Sequence, residues 1–198
     1  MDREEFLSKY WQYYLALEDD FIKTIRYVQL NIDNYKTFST EYIKQYQAIC
    51  SEIDVVSKEI CRFYGDNRAK KFDQYTPVIL NQYTDIKTKI INVGFNSKIQ
   101  IQPFKDWQSN PNYKSPKWWS HYNSVKHNRN TNFKDANLEN VLNSLAGLYI
   151  LEKYLLKDIC KKTSNNYDIP DKDSKIFILQ DWNTKSISSM GLHMVTIN

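Results

Sequence analysis

The sequence predicts a mainly α-helical protein: a bundle of about five helices carrying a small β-hairpin or sheet as an appendage. Three observations support this fold class. The chain has 198 residues, enough for one domain with a substantial hydrophobic core. Glycine and proline are scarce, at 4 and 5 residues, which argues against a sandwich built on many tight turns. Apolar residues recur every three or four positions over long stretches, as on the buried face of a helix.

Two helices are predicted in the N-terminal third of the chain. The first begins near Phe6 and ends near Asn31, and Ser39 or Thr40 caps the second. The second carries a heptad seam that Gly65 stops, where a helix C-terminus is expected. The seam consists of Tyr42, Tyr46, Ile49, Ile53, Val56, Ile60 and Phe63. We expect the two helices to pack on each other within one bundle, and a coiled-coil partner on another chain is the alternative.

The middle of the chain changes from helical to strand character. A third helix is predicted over residues 72–89, with Pro77 in its first turn or at its start. Residues 90–104 are predicted to form a β-hairpin insertion. Their apolar residues alternate on both sides of a turn that contains Gly94, and Pro103 closes the segment.

Two further helices are predicted before the C-terminal region. One covers residues 116–128, with Ser115 as a capping residue, and Asp135 or Asn137 opens a last helix that extends to about Lys162. Small residues at Ala146 and Gly147 predict a close approach by another backbone. We expect residues 1–163 to form the bundle. Residues 164–198 are then a connector with short strands, near 176–179 and 192–197, that packs on it.

The sequence also indicates the cellular compartment and argues against a metal site. The three cysteines are odd in number and far apart, which indicates buried thiols in a reducing compartment. The charged N-terminus does not resemble a signal peptide, and no apolar run approaches the roughly 20 residues that span a bilayer. The sequence therefore predicts a cytoplasmic protein without membrane association. We expect no cofactor and no metal site, because His121 and His127 face different sides of a helix.

A basic segment is the main candidate for ligand binding. Residues 107–134 contain no acidic residue but five cationic ones: Lys114, Lys117, Lys126, Arg129 and Lys134. A solvated basic face is one interpretation, and a surface for the phosphates of RNA or a nucleotide is the other. On the second interpretation we expect contacts from Lys117, Trp118, Tyr122 and Lys134. The alternative for Trp118 and Trp119 is core packing.

The same segment holds the candidate catalytic residues. Asn123 and His127 are four residues apart and share one face of the predicted helix, with Lys126 and Arg129 beside them. A histidine that titrates near neutrality exchanges protons with ribose and leaving-group oxygens. An amide orients the phosphate, and a cation stabilises the charge of the transition state. The alternative is a structural histidine, with cations that the C-terminal dipole of the helix favours.

The string Tyr-Asn-Ser-Val-Lys-His-Asn-Arg at residues 122–129, followed by the Leu- and Ala-rich segment 136–149, resembles HEPN-domain proteins. The resemblance implies an all-α bundle that commonly dimerises. Many members are metal-independent endoribonucleases of toxin–antitoxin, abortive-infection or other antiviral systems. Their motif is an arginine, a polar residue, about three further residues and a histidine. His127 matches the histidine and Asn123 the polar residue, but Tyr122 occupies the arginine position, where a neutral phenol cannot replace a guanidinium.

Two hypotheses of function follow from different classes. In the first, a HEPN-like homodimer cleaves RNA, with His127 as acid or base, Asn123 orienting the phosphate and Arg129 or Lys126 stabilising charge; an antitoxin or defence protein is its partner. In the second, a non-catalytic HEPN-like module binds RNA, a nucleotide or a protein through the same surface. A third and weaker hypothesis is a helical structural subunit of a bacterial defence or mobile-element system.

Overall fold

The computed structural model describes residues 1–94, 96–163, 167–188 and 191–197. This part of the chain contains five helices of more than ten residues, several shorter helical turns and two small antiparallel sheets. The predicted fold class, a mainly α-helical bundle with a small β appendage, is confirmed. None of the described helices combines the length and the hydrophobicity that crossing a bilayer requires.

Helix α1 changes its winding near its start. The Asp2 carboxylate caps it by accepting from the Glu5 amide at 2.9 Å, and the helix continues as Arg3–Phe6, a π-helical Leu7–Trp11 and Gln12–Ile25. A π-turn holds one residue more than an α-turn, which fits the five-residue step between buried Phe6 and Trp11. The helix ends at Ile25 rather than near Asn31. The amides of Arg26 and Tyr27 bond to carbonyl oxygens three residues earlier, those of Lys23 and Thr24, instead of four residues earlier.

Helix α2 (Thr40–Phe63) carries the predicted seam. Ser39 caps it by accepting from the Tyr42 amide at 3.1 Å, and Gly65 follows its end with a φ of 89°. The six seam residues from Tyr42 to Ile60 are almost fully buried. Helix α2 packs on α1, as predicted, and more extensively on the last helix. The seam therefore lies inside the bundle of this one chain.

Helix α3 (Phe72–Gln82) is shorter than predicted. Pro77 lies in its interior rather than in its first turn, and it has no amide hydrogen to donate to the Asp73 carbonyl. The helix ends before Tyr83, whose backbone leaves the helical region, and only a 3₁₀ turn at Ile86–Thr88 follows. The predicted extension to residue 89 is therefore wrong.

Helices α4 (Lys117–His127) and α5 (Leu138–Lys162) follow the predicted order. No side chain caps α4, so the predicted role of Ser115 is wrong; Asn137 caps α5 by accepting from the Asn140 amide at 3.1 Å. Helix α5 is the centre of the bundle. Most of its side chains between Leu138 and Leu156 are buried, even the charged Glu152 and Lys153.

The predicted hairpin exists and takes a third strand from the C-terminal region. Strands β1 (Ile91–Val93), β2 (Asn96–Ile101) and β3 (Phe177–Leu179) form an antiparallel sheet in the order β2-β1-β3. A separate hairpin joins β4 (Trp182–Ser188) to β5 (Gly191–Ile197). The sequence predicts strands near β3 and β5 but not β4, whose residues are mostly polar.

The described part of the predicted connector lies along α1. The Arg3 guanidinium donates to the carbonyl oxygens of Tyr167 and Ile169, and the Trp11 indole donates to the Lys172 carbonyl at 2.7 Å. These contacts connect the N-terminal helix to the segment that leads into β3.

Candidate functional site

Helix α4 carries the predicted site, and buried aromatic contacts fix its position. The Trp118 side chain is 2% exposed, and its indole N–H donates to the Pro103 carbonyl at 2.8 Å. The Tyr46 hydroxyl donates to the Trp118 carbonyl from α2. Trp118 therefore packs in the core, which was the alternative to the predicted contact with nucleic acid, and its ring has no free face for a base.

The next two aromatic residues of α4 complete its inner face. Trp119 stacks on Phe72 with 4.0 Å between ring centroids, and Tyr122 meets the edge of Tyr46 at 5.8 Å. Burial, and then the nearby Cys50 and Asp54, raise the pKa of Tyr122 to about 12. The phenol at the arginine position of the motif is therefore uncharged at neutral pH.

His127 is the last residue of α4, and its side chain is exposed to solvent. It lines an open cavity of about 540 Å³, together with Gln47 and the other residues of 125–131. Lys126 and Arg129, also exposed, line the same cavity. The structure thus brings three of the four predicted catalytic side chains to one open depression.

The turn after His127 is held by its own polar side chains. The Asn128 amide donates to the Ser124 carbonyl at 2.9 Å, where α4 ends. The Asn132 side-chain amide donates to the carbonyl oxygens of Asn128 and Ser124, at 2.9 and 3.2 Å. These bonds tie the helical turn Arg129–Asn132 to the end of α4 and so place Arg129 at the cavity that His127 lines.

Asn123 lines a second cavity, of about 530 Å³, on the side of α4 that faces α2 and the start of α3. Lys126 lines both cavities, and its ammonium lies 5.7 Å from the centre of the Tyr122 ring. Asn123 and His127 were predicted to act together from one helix face. In the structure they line two neighbouring cavities.

The second cavity contains side chains that the sequence reasoning missed. Asp54 from α2, Lys70 and Lys71 before α3, and Tyr113 from the loop before α4 line it. Burial raises the pKa of Asp54, while the charges of Lys126 and Lys58 act in the opposite direction. No local motif marks these residues, because they come from three separate segments.

Other predicted residues lie outside these cavities. Lys117 and Lys134 are exposed but line neither of the two. His121 is half-buried, and its Nδ1 accepts from the Asn140 side-chain amide at 2.8 Å. The Asn140 amide also donates to the Asp135 carbonyl, so His121 helps to hold the loop before α5, as expected of a structural histidine.

Within the residues that the structure describes, no three His, Cys, Asp or Glu side chains are grouped so that they could hold a metal ion. Comparisons of the chain with protein-family models, with curated proteins and with solved structures find no match.

Proposed function

We propose that this protein is a HEPN-like, metal-independent endoribonuclease in which His127 transfers the proton. The observation that carries the proposal is the placement of the His127 ring. It is exposed in a cavity of about 540 Å³ with two cationic side chains, Lys126 and Arg129, at its walls. A structural imidazole is instead shielded and hydrogen-bonded within the protein: His121, on the same helix, is half-buried and accepts from the Asn140 side chain.

The reaction is an internal transesterification of RNA. His127 accepts the proton of a ribose 2′-hydroxyl, and the 2′-oxygen forms a bond to the adjacent phosphorus. The bond from phosphorus to the 5′-oxygen breaks, and that oxygen takes up a proton. The products are a 2′,3′-cyclic phosphate and a free 5′-hydroxyl, and the step needs no oxidant and no co-reactant.

Lys126 and Arg129 are the groups we assign to the transition-state charge. Arg129 offers a planar set of donors for phosphate oxygens, and Lys126 adds a point charge. Together they take over the work of the arginine whose position is occupied by the neutral Tyr122. Asn123 binds the neighbouring nucleotide, since it lines the adjoining cavity.

A homodimer is part of the same proposal. One histidine cannot accept the proton of the 2′-hydroxyl and protonate the leaving oxygen at the same moment. A second copy of the chain supplies a second His127 for the leaving oxygen. The cytoplasm is the compartment we propose, and an antitoxin or antiviral-defence protein is the partner class that restrains the activity.

The test uses purified wild-type protein and two variants, His127→Ala and Ser120→Ala, with a fluorescent single-stranded RNA in the presence of a chelator. Ser120 is an exposed residue of the same helix and serves as the matched control. We expect cleavage by the wild type and by Ser120→Ala, and a loss of about 100-fold or more in His127→Ala. Products that end in a cyclic phosphate identify the reaction. Equal cleavage rates in all three proteins would refute the role of His127.

A non-catalytic RNA-binding module is the second candidate, and two specific observations favour it. The Tyr122 phenol is neutral at the arginine position, and Asn123 lines a different cavity from His127. The dipole of α4 also favours cations in its last turn, so their presence there has a purely structural explanation. Wild-type protein that binds RNA in the same assay without cleaving it would establish this second function.

A further inference from the structure

We propose that the second cavity, between α4 and the start of α3, is a recognition site for a guanine base in single-stranded RNA. The inference deepens the proposed function by naming the nucleotide that the protein selects beside the site of cleavage. It depends on RNA as the ligand and not on any catalytic step.

The size and the walls of the cavity suit a nucleotide. Its volume of about 530 Å³ lies within the range of ligand sites, about 300–1,000 Å³. Tyr113, at 37% exposed, is an aromatic surface on which a base can stack. Single-stranded RNA is commonly recognised through such stacking combined with hydrogen bonds to the exposed edges of the base.

The charges divide the cavity into a cationic rim and an acidic interior. Lys70, Lys71 and Lys126 are exposed at the rim, where Lys71 pairs with Asp73 at 3.1 Å, whereas Asp54 on α2 is half-buried. Helix α3 also begins at this rim without a side-chain cap, so its dipole adds positive potential there. Phosphates are attracted to the rim, and the Asp54 carboxylate repels them from the interior, which leaves that space to the uncharged base.

Asp54 is the side chain that makes guanine the preferred base. The buried Tyr75 hydroxyl lies near its carboxyl but makes no hydrogen bond of standard geometry, and Asp54 forms no ion pair within the described residues. A carboxylate accepts two parallel hydrogen bonds from the N1–H and N2–H groups of guanine. Adenine and cytosine present one exocyclic amine on that edge, and uracil presents one ring N–H between two carbonyl groups.

Asn123 offers the complementary donor. Its side chain is half-buried at the wall of the same cavity, and it makes no side-chain hydrogen bond to other residues that the structure describes. An amide N–H suits the O6 acceptor of guanine. Asp54 and Asn123 together match the donor–donor–acceptor edge that guanine alone among the four bases presents.

The experiment measures binding of four nucleoside monophosphates by calorimetry, using GMP, IMP, AMP and UMP with the full chain. IMP keeps N1–H but lacks the N2 amino group. We expect GMP to bind at least about tenfold more tightly than AMP and UMP, with IMP between them. Equal affinity for the four would overturn the proposal, because it indicates recognition of phosphate alone. Undetectable binding of GMP at millimolar concentration would overturn it as well.

Two variants test the residues. Asp54→Asn should remove the preference for GMP, and it should stay folded because burial disfavours the charge that the substitution removes. Asp106→Asn, a half-buried carboxylate outside the cavity, is the matched control and should keep the preference. A preference that persists in Asp54→Asn would show that another group reads the base.

Oligonucleotides distinguish guanine in RNA from free GMP. We expect a uridine nonamer with one central guanosine to bind more tightly than free GMP and than the same nonamer with adenosine. Binding of GMP with no preference between the nonamers would overturn the RNA assignment. Ser120→Ala, an exposed residue of α4 that lines neither cavity, should bind like the wild type. Binding is measured apart from cleavage, so a failure of the cleavage test leaves this binding test intact.

Discussion

The indole of Trp118 lies against the backbone of Gly147. A Cβ atom built on this glycine would be 3.0 Å from Cζ2 of Trp118 and 3.3 Å from Cζ of Phe104. This contact sets the distance between α4, which carries His127, and the central helix α5. The small residues at 146–147 predict a close approach by a backbone, and the structure places an aromatic side chain there instead.

Gly147→Ala should therefore destabilise the protein, although alanine normally favours a helix. The new methyl group would press on the Trp118 ring, which must shift by a few tenths of an ångström, and overpacking of this kind costs about 1–3 kcal/mol. Urea unfolding measures the loss. Gly94→Ala is the matched control, because its Cβ would meet Ile178 at an ordinary 3.6 Å. Similar unfolding free energies for Gly147→Ala and the wild type would contradict the contact.

The stability should fall as the pH rises from about 4.5 to 7. Burial raises the pKa of Glu52 to about 7, and burial together with Glu52 raises the pKa of Glu152 well above its usual value. The folded state therefore holds protons that the unfolded state has released in this range, so the unfolding free energy decreases with rising pH. We expect a difference of about 2 kcal/mol between pH 5 and pH 8.

Chemical unfolding at a series of pH values checks this dependence. Glu52→Gln should flatten the profile and raise the stability at pH 8, because the neutral amide carries no charge to bury. Glu41→Gln, on the exposed start of the same helix, should leave the slope unchanged. A wild-type profile that rises toward pH 8 would count against a buried acidic pair.

Asp158 should contribute strongly to stability because two tyrosines donate to one of its oxygens. The hydroxyl groups of Tyr64 and Tyr83 lie 2.6 and 2.7 Å from its Oδ2. We expect Tyr83→Phe and Tyr64→Phe each to cost about 1 kcal/mol. The double variant should depart from the sum of the two, because the hydroxyls share an acceptor. Thermal unfolding of the cycle measures the coupling, and strict additivity would mean that the two bonds act independently.

Lys126 should control the salt dependence of RNA binding, since it lines both cavities. Lys126→Ala should weaken binding and reduce the slope of log K against log salt by about 0.7, the contribution of one phosphate contact on a single strand. Lys134→Ala, an exposed lysine that lines neither cavity, is the control. Fluorescence anisotropy at several salt concentrations gives the slopes. Identical slopes for both variants would remove Lys126 from the phosphate contacts.

The local signals in the sequence predicted the helices well. The seam from Tyr42 to Ile60 is buried, and Gly65 follows the end of α2 with the expected positive φ. These predictions succeed because periodicity and end signals are properties of one short segment. The end of α3 and the strand β4 were missed, because Tyr83 is apolar enough to continue a helical pattern and β4 has too few apolar residues to show alternation.

The site was predictable only in part for the same reason. His127, Lys126 and Arg129 are neighbours in sequence, and the structure brings them to one cavity. Asp54 and Tyr113 come from distant segments, so only tertiary packing places them beside Asn123. The separation of Asn123 from His127 could not be read from their spacing, because it depends on what packs against each side of α4.

The π-helical stretch Leu7–Trp11 has a consequence for how the first helix tolerates changes in length. It accommodates one residue more than regular winding allows between Phe6 and Trp11. Deleting a single exposed residue there, such as Ser8, would restore an ordinary α-turn and keep both aromatic rings facing inward. The same deletion after Gln12 would rotate everything beyond it by about 100°. Shortening of the chain should therefore be tolerated at this one point of the helix and nowhere else along it.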